Sequence, residues 1–120
     1  MKPSLIQKQL KFNSDRIWQY ECLMYSYEEH NKTIKQYPER FGMADVIIDD
    51  NKRVIASFKK SIKSLAELQK ALKKQASRHV FLNRNKKRLI KSIDENPWNV
   101  SELTHKFNQV MDDIYMLENY

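Results

Sequence analysis

A single glycine, Gly42, in a chain of 120 residues limits the possible folds more than any other feature. Sheet-rich domains need turn residues between their strands, and glycine supplies the positive-φ geometry that many of those turns use. With one glycine and three prolines the chain lacks the material for an all-β domain, and long helices are the natural reading. Pro38 and Gly42 in YPERFG mark one break, and Pro97 in DENPWNVS marks another, because proline disfavours helical geometry in the residue before it. A softer break is expected near Ser77 to His79. These punctuation marks predict an all-α fold, a small bundle of about four helices forming a single domain over residues 1–120.

Periodicity fills in the segments. The first helix is expected to begin near Ser14, whose hydroxyl could cap the amides of DRIW, and to run to about Lys35. Ile17, Tyr20, Met24, Tyr27 and Ile34 fall on one face, while Trp18, Cys22 and Tyr25 fall on another. A helix apolar on two sides is usually central to a bundle. In the last helix Ser101 is the expected N-cap. Leu103, Phe107, Val110, Ile114 and Leu117 follow at the alternating spacing that holds one seam against a partner helix, either within the chain or in a second copy, so a homodimer is one alternative. Trp98, beside Pro97, is the best candidate for an exposed aromatic.

Residues 43–76 read two ways. Ile47, Val54, Ile55, Phe58, Ile62, Leu65, Leu72 and Ala76 cluster on one side of a helical wheel, which supports one long helix. VIIDDNKRVIAS also resembles two β-branched strands about a polar turn, a short β-hairpin near residues 45–58, with Ser64 and Glu67 as the capping box of a shorter helix behind it. The continuous helix is favoured, because a lone hairpin would leave exposed edges.

Charge is distributed unevenly. Residues 1–50 carry seven basic and eight acidic side chains, residues 51–91 carry fourteen and one, and residues 92–120 carry one and six, for a net charge of +7. Lys52, Lys59, Lys63, Lys70 and Lys74 lie within about 60° on a helical wheel, opposite the apolar face, in a stripe of roughly 33 Å if the helix is unbroken. Arg84, Lys86, Lys87, Arg88 and Lys91 add a second basic segment on the following helix. Like charges at i,i+4 each cost a few tenths of a kcal/mol, so an unpaired stripe is better tolerated when a polyanion complements it. The acids Asp94, Glu95, Glu102, Asp112, Asp113 and Glu118 could fold beside the stripe and offset at most six of the fourteen positive charges.

Chemistry is sparse by comparison. His30, His79 and His105 have no HExxH spacing, and a lone cysteine gives no CxxC pair. Glu102 and His105 form one Glu-x-x-His pair, whereas a di-iron site needs two such pairs and further glutamates. A glycine-rich phosphate loop is impossible. The reading is therefore no enzyme, no metal and no cofactor. Cys22 cannot close a disulfide within the chain, which favours a reducing compartment. There is no apolar run of signal-peptide or membrane-span length, so a cytoplasmic protein without a membrane partner is expected.

One segment, KKRLIKSIDENPWNVSELTHKF, resembles the first two helices of a helix-turn-helix or winged-helix DNA-binding domain, in which a phrase such as NPWNVSEL joins them. The resemblance covers 22 of the 120 residues. It implies a following helix that would read the major groove, but NQVMDDIYMLENY comes next and is acidic, so no recognition role is carried onto any residue. The basic surface points to nucleic acid, DNA or RNA, bound through its phosphates by an accessory subunit of a nucleoprotein complex. The alternative is a regulator or inhibitor, of phage or plasmid type, that docks on an acidic protein.

Overall fold

The computed structural model describes residues 1–119. Among them are three α-helices, α1 (Pro3–Gln36), α2 (Ala44–Glu95) and α3 (Val100–Asn119), with 3-10 turns at Pro38–Arg40 and Pro97–Asn99 and no strand. The expected bundle of about four helices and the alternative hairpin at residues 45–58 are both overturned, and each correction has a local cause.

Helix α1 starts eleven residues before Ser14, at Pro3. Proline suits the first turn because the N–H it lacks would have no intrahelical partner there. Ser14 accepts a hydrogen bond from the Gln69 side chain at 2.9 Å instead of capping a helix. No break occurs near Ser77 to His79, so the expected second and third helices are one element of 52 residues. The segment holds no proline or glycine, Ser77 and Arg78 face solvent, and His79 is only 2% exposed. Residues 45–58 are helical because Asn51, Ile55 and Phe58 turn to one side at helical spacing, and burial of that side overrides the β preference of VII and VI. Trp18, Cys22 and Tyr25 are exposed, so the second apolar face of α1 is not a packing face among the described residues.

The packing divides into two units. One comprises Lys11–Gln69, the other Met1–Leu10 with Lys70–Tyr120. The first is an antiparallel helical hairpin turned through residues 37–43. Ile34 is fully buried and Ile55 nearly so, and the Phe58 ring sits 5.6 Å from Tyr20 and 6.1 Å from Tyr27 between centroids. Two polar layers cross this seam. Asn13 donates to Gln69 Oε1 at 3.2 Å, and Asn51 donates to Asn31 Oδ1 at 2.8 Å and to His30 Nδ1 at 3.1 Å. At the turn the His30 and Phe41 rings meet edge to face at 5.9 Å. Met43, not Gly42, holds the left-handed conformation, with φ of 58°.

The second unit has its own core, formed by Ile6, Leu72, Leu82 and Ile114. Met1 ties it together at the backbone: His79 Nε2 donates to the Met1 carbonyl at 2.7 Å, and the Met1 amino group donates to the Leu117 carbonyl. Pro97–Asn99 turns the chain between α2 and α3. Asn96 closes the end of α2 by donating its side-chain amide to the Ser92 carbonyl at 2.9 Å. Ser101 lies inside α3, one residue past its start, and is not its cap. Along α3, Ile114 is buried, and Leu103, Phe107, Val110 and Leu117 are half-buried. No helix among the described residues is long and apolar enough to cross a membrane.

Candidate nucleic-acid interface

The candidate cations all stand on α2, because the seam of that helix takes every third or fourth residue and leaves the positions between them to solvent. In the hairpin unit Lys52 and Lys59 directly follow the seam residues Asn51 and Phe58, and Lys63 follows Ile62; all three are exposed. In the second unit Lys70, Lys74, Arg84, Lys87, Arg88 and Lys91 are exposed, and Lys86 is half-buried. Lys86 therefore presents less of its side chain to a ligand than the sequence pattern suggests.

Carboxylates do little to neutralise this set. Among the described residues, the only member in an ion pair is Lys91, with Glu95 at 3.9 Å between two exposed side chains. Such pairs contribute at most about 1 kcal/mol. Arg53, outside the set, reaches Asp50 at 3.8 Å. The acids of α3 are engaged elsewhere or stand off: Glu102 pairs with Lys106 at 3.4 Å, and Asp113 lines a shallow recess with Arg88 and Lys106 without closing an ion pair. Lys32, on α1, holds its proton above the ordinary lysine range because Glu29 accepts its hydrogen bond at 3.0 Å.

Sequence reasoning did not anticipate the surroundings of the cations. A cleft of about 420 Å³ in the second unit is lined by Pro3 and Gln7 of α1 and by Ala76, His79, Val80, Asn83, Arg84 and Lys87 of α2. The positions 76, 80, 83 and 87 follow a helical stripe, so the signal was present in the spacing. What could not be read was the arrival of Pro3 and Gln7 opposite it. Phe81 is exposed with the Arg78 guanidinium 5.4 Å from its ring centre, and Trp98, in the turn before α3, is 81% exposed.

No group of three or more His, Cys, Asp or Glu side chains gathers into a metal site among the described residues. His105 of the Glu-x-x-His pair lies 3.4 Å from the Gln109 side chain. Among the described residues no separate helix of helix-turn-helix type follows NPWNVSEL, since α3 continues unbroken to Asn119. No family model matches the chain, and searches of curated proteins and of solved structures return no match.

Proposed function

We propose that this chain is a non-catalytic nucleic-acid-binding protein whose exposed α2 cations contact phosphate backbone. The observation that carries the reading is the exposure of nine of the ten candidate cations while one acidic residue, Glu67, stands among fourteen basic ones over residues 51–91. Displacing condensed counterions from a polyanion supplies affinity without any reading of bases. Lysine dominates the stripe, and as a point charge without a guanidinium fork it discriminates poorly among bases. Binding is therefore expected to be strongly salt-dependent and weakly sequence-dependent.

The test is a gel shift and an anisotropy titration with random single-stranded and duplex probes. If about five phosphates of a duplex are neutralised, log K should fall against log salt with a slope near −4 to −5. Reversing Lys59 and Lys63, Lys70 and Lys74, or Lys87 and Arg88 to glutamate should weaken binding and flatten the slope by about 0.9 per contact, with the helical circular dichroism spectrum retained. Absence of salt-sensitive binding to every probe at low ionic strength would overturn the proposal. If the same reversals then abolished association with an acidic protein, the regulator reading would replace it.

A further inference from the structure

The cleft beside the basic residues differs chemically from the rest of the surface. His79 forms part of its wall and is almost wholly buried. Its Nε2 donates to the Met1 carbonyl, so Nδ1 of the neutral ring is a lone-pair acceptor, and that atom has no hydrogen-bond partner. A buried acceptor without a donor is uncommon enough to need a physical account. Pro3, Ala76 and Val80 supply apolar surface, Gln7 and Asn83 supply amides, and Arg84 and Lys87 stand one turn apart on the same helix. The volume lies within the range that encloses a small organic ligand.

A wall histidine whose shielded Nδ1 has no partner, apolar sides, two amides and a pair of cations match the parts of one nucleotide. The base offers a flat apolar face and N–H donors, and the phosphate offers a dianion or a diester charge. We infer that the cleft seats one unstacked nucleotide of a bound single strand, its base against Pro3 and Val80 with an N–H directed at His79 Nδ1, and its phosphate on Arg84 and Lys87. Nδ1 is covered in this conformation, so seating the base requires the cleft to open over that atom. The inference rests on the nucleic-acid reading and makes it more specific, because a duplex keeps its bases stacked and can use only the cations. Single strands should then bind more tightly than duplex of equal charge.

The experiment uses the full chain and two probes. Adenosine monophosphate is titrated by NMR while the His79 imidazole nitrogens and the amides of residues 76–87 are followed, with inorganic phosphate and adenosine as separate arms. A single strand and a duplex of equal length are titrated by anisotropy against wild type and against Asn83→Trp, which fills the cleft without changing charge. The expected result is a shift at His79 with the monophosphate that neither phosphate nor adenosine reproduces at the same concentration. Asn83→Trp should lose about tenfold in single-strand affinity, or 1.4 kcal/mol, and retain duplex affinity. An unmoved His79 with an unchanged single-strand to duplex ratio in Asn83→Trp would overturn the nucleotide seat while leaving phosphate binding by α2 intact. Shifts that phosphate alone reproduces would overturn it as well, as an anion site only. Monophosphate binding without binding of any strand would overturn both the strand placement and the proposed function. Arg84→Ala with Lys87→Ala, which leaves the apolar walls, guards against misfolding of the tryptophan variant and should lose monophosphate binding by a similar factor.

Discussion

The buried amide layer of the hairpin allows a magnitude to be worked out before any measurement. Asn51 is 7% exposed, and its amide nitrogen serves two acceptors, Asn31 Oδ1 at 2.8 Å and His30 Nδ1 at 3.1 Å. Asn51→Ala removes both donors at once. His30 is exposed and can turn to water, so its loss costs little. Asn31 is as buried as Asn51, and its oxygen would be left without a donor, at a cost of about 1–3 kcal/mol. Its remaining bond, to the Ile48 carbonyl, is long at 3.4 Å and does little to hold the side chain. Asn51→Ala should therefore destabilise by about 2 kcal/mol, read as a shift in urea midpoint by circular dichroism. Replacing both asparagines by leucine leaves no polar atom to satisfy, and the double variant should return to within about 1 kcal/mol of wild type or exceed it. Each single leucine variant should fall below the double. The coupling from the four-member cycle should therefore lie within about 0.5–3 kcal/mol and favour the matched pairs. A loss under about 0.5 kcal/mol for Asn51→Ala, or a double leucine variant no better than either single, would show that the layer is wet and refute the reasoning.

Other expectations follow from burial and backbone. Ile114→Ala should cost about 2–5 kcal/mol, and Phe107→Ala, at a half-buried position, should cost less; urea unfolding of the two variants checks the order. Trp18 and Trp98 are 66% and 81% exposed, so native fluorescence should be red-shifted and readily quenched by acrylamide, and a blue-shifted, protected spectrum would show that a partner or second copy covers them. Met43→Gly should stabilise the hairpin by about 1 kcal/mol, because a side chain at positive φ is strained and glycine is not, whereas a Cβ added to Gly42 meets nothing within 4 Å. Thermal unfolding of Met43→Gly and Gly42→Ala separates the two positions.

Sequence patterning revealed the helical class and the two proline-marked turns because those depend on local backbone chemistry. It failed where a polar residue did the work of an apolar one. Asn13, Asn31, Asn51, Gln69 and His79 are all buried, and a reading that follows hydrophobic spacing passes over each of them. With those positions restored, the seam of α2 continues through His79, and the expected break near that residue loses its basis. Ser14 misled in the opposite sense, since a good capping residue forms a cap only where a helix begins. Among the candidate cations, exposure could be read from spacing except at Lys86, which is half-buried. The cleft depends on Pro3 and Gln7 meeting a stretch some seventy residues later in the chain, a pairing that no local pattern encodes.

The two polar layers lie at unequal distances along the chain from the turn. Asn31 and Asn51 are 20 residues apart, and Asn13 and Gln69 are 56 apart. Closing the longer loop from an open chain costs about 0.9 kcal/mol more by loop entropy alone. The layer near the turn should therefore form early in folding and bring the distant layer into alignment. The hairpin then zips from its turn toward the Asn13 end, with the first amide pair setting the register for the second. Kinetically, substitutions at Asn31 or Asn51 should slow folding, and substitutions at Asn13 or Gln69 should mainly speed unfolding. The reverse pattern in stopped-flow data would place the nucleus at the far end.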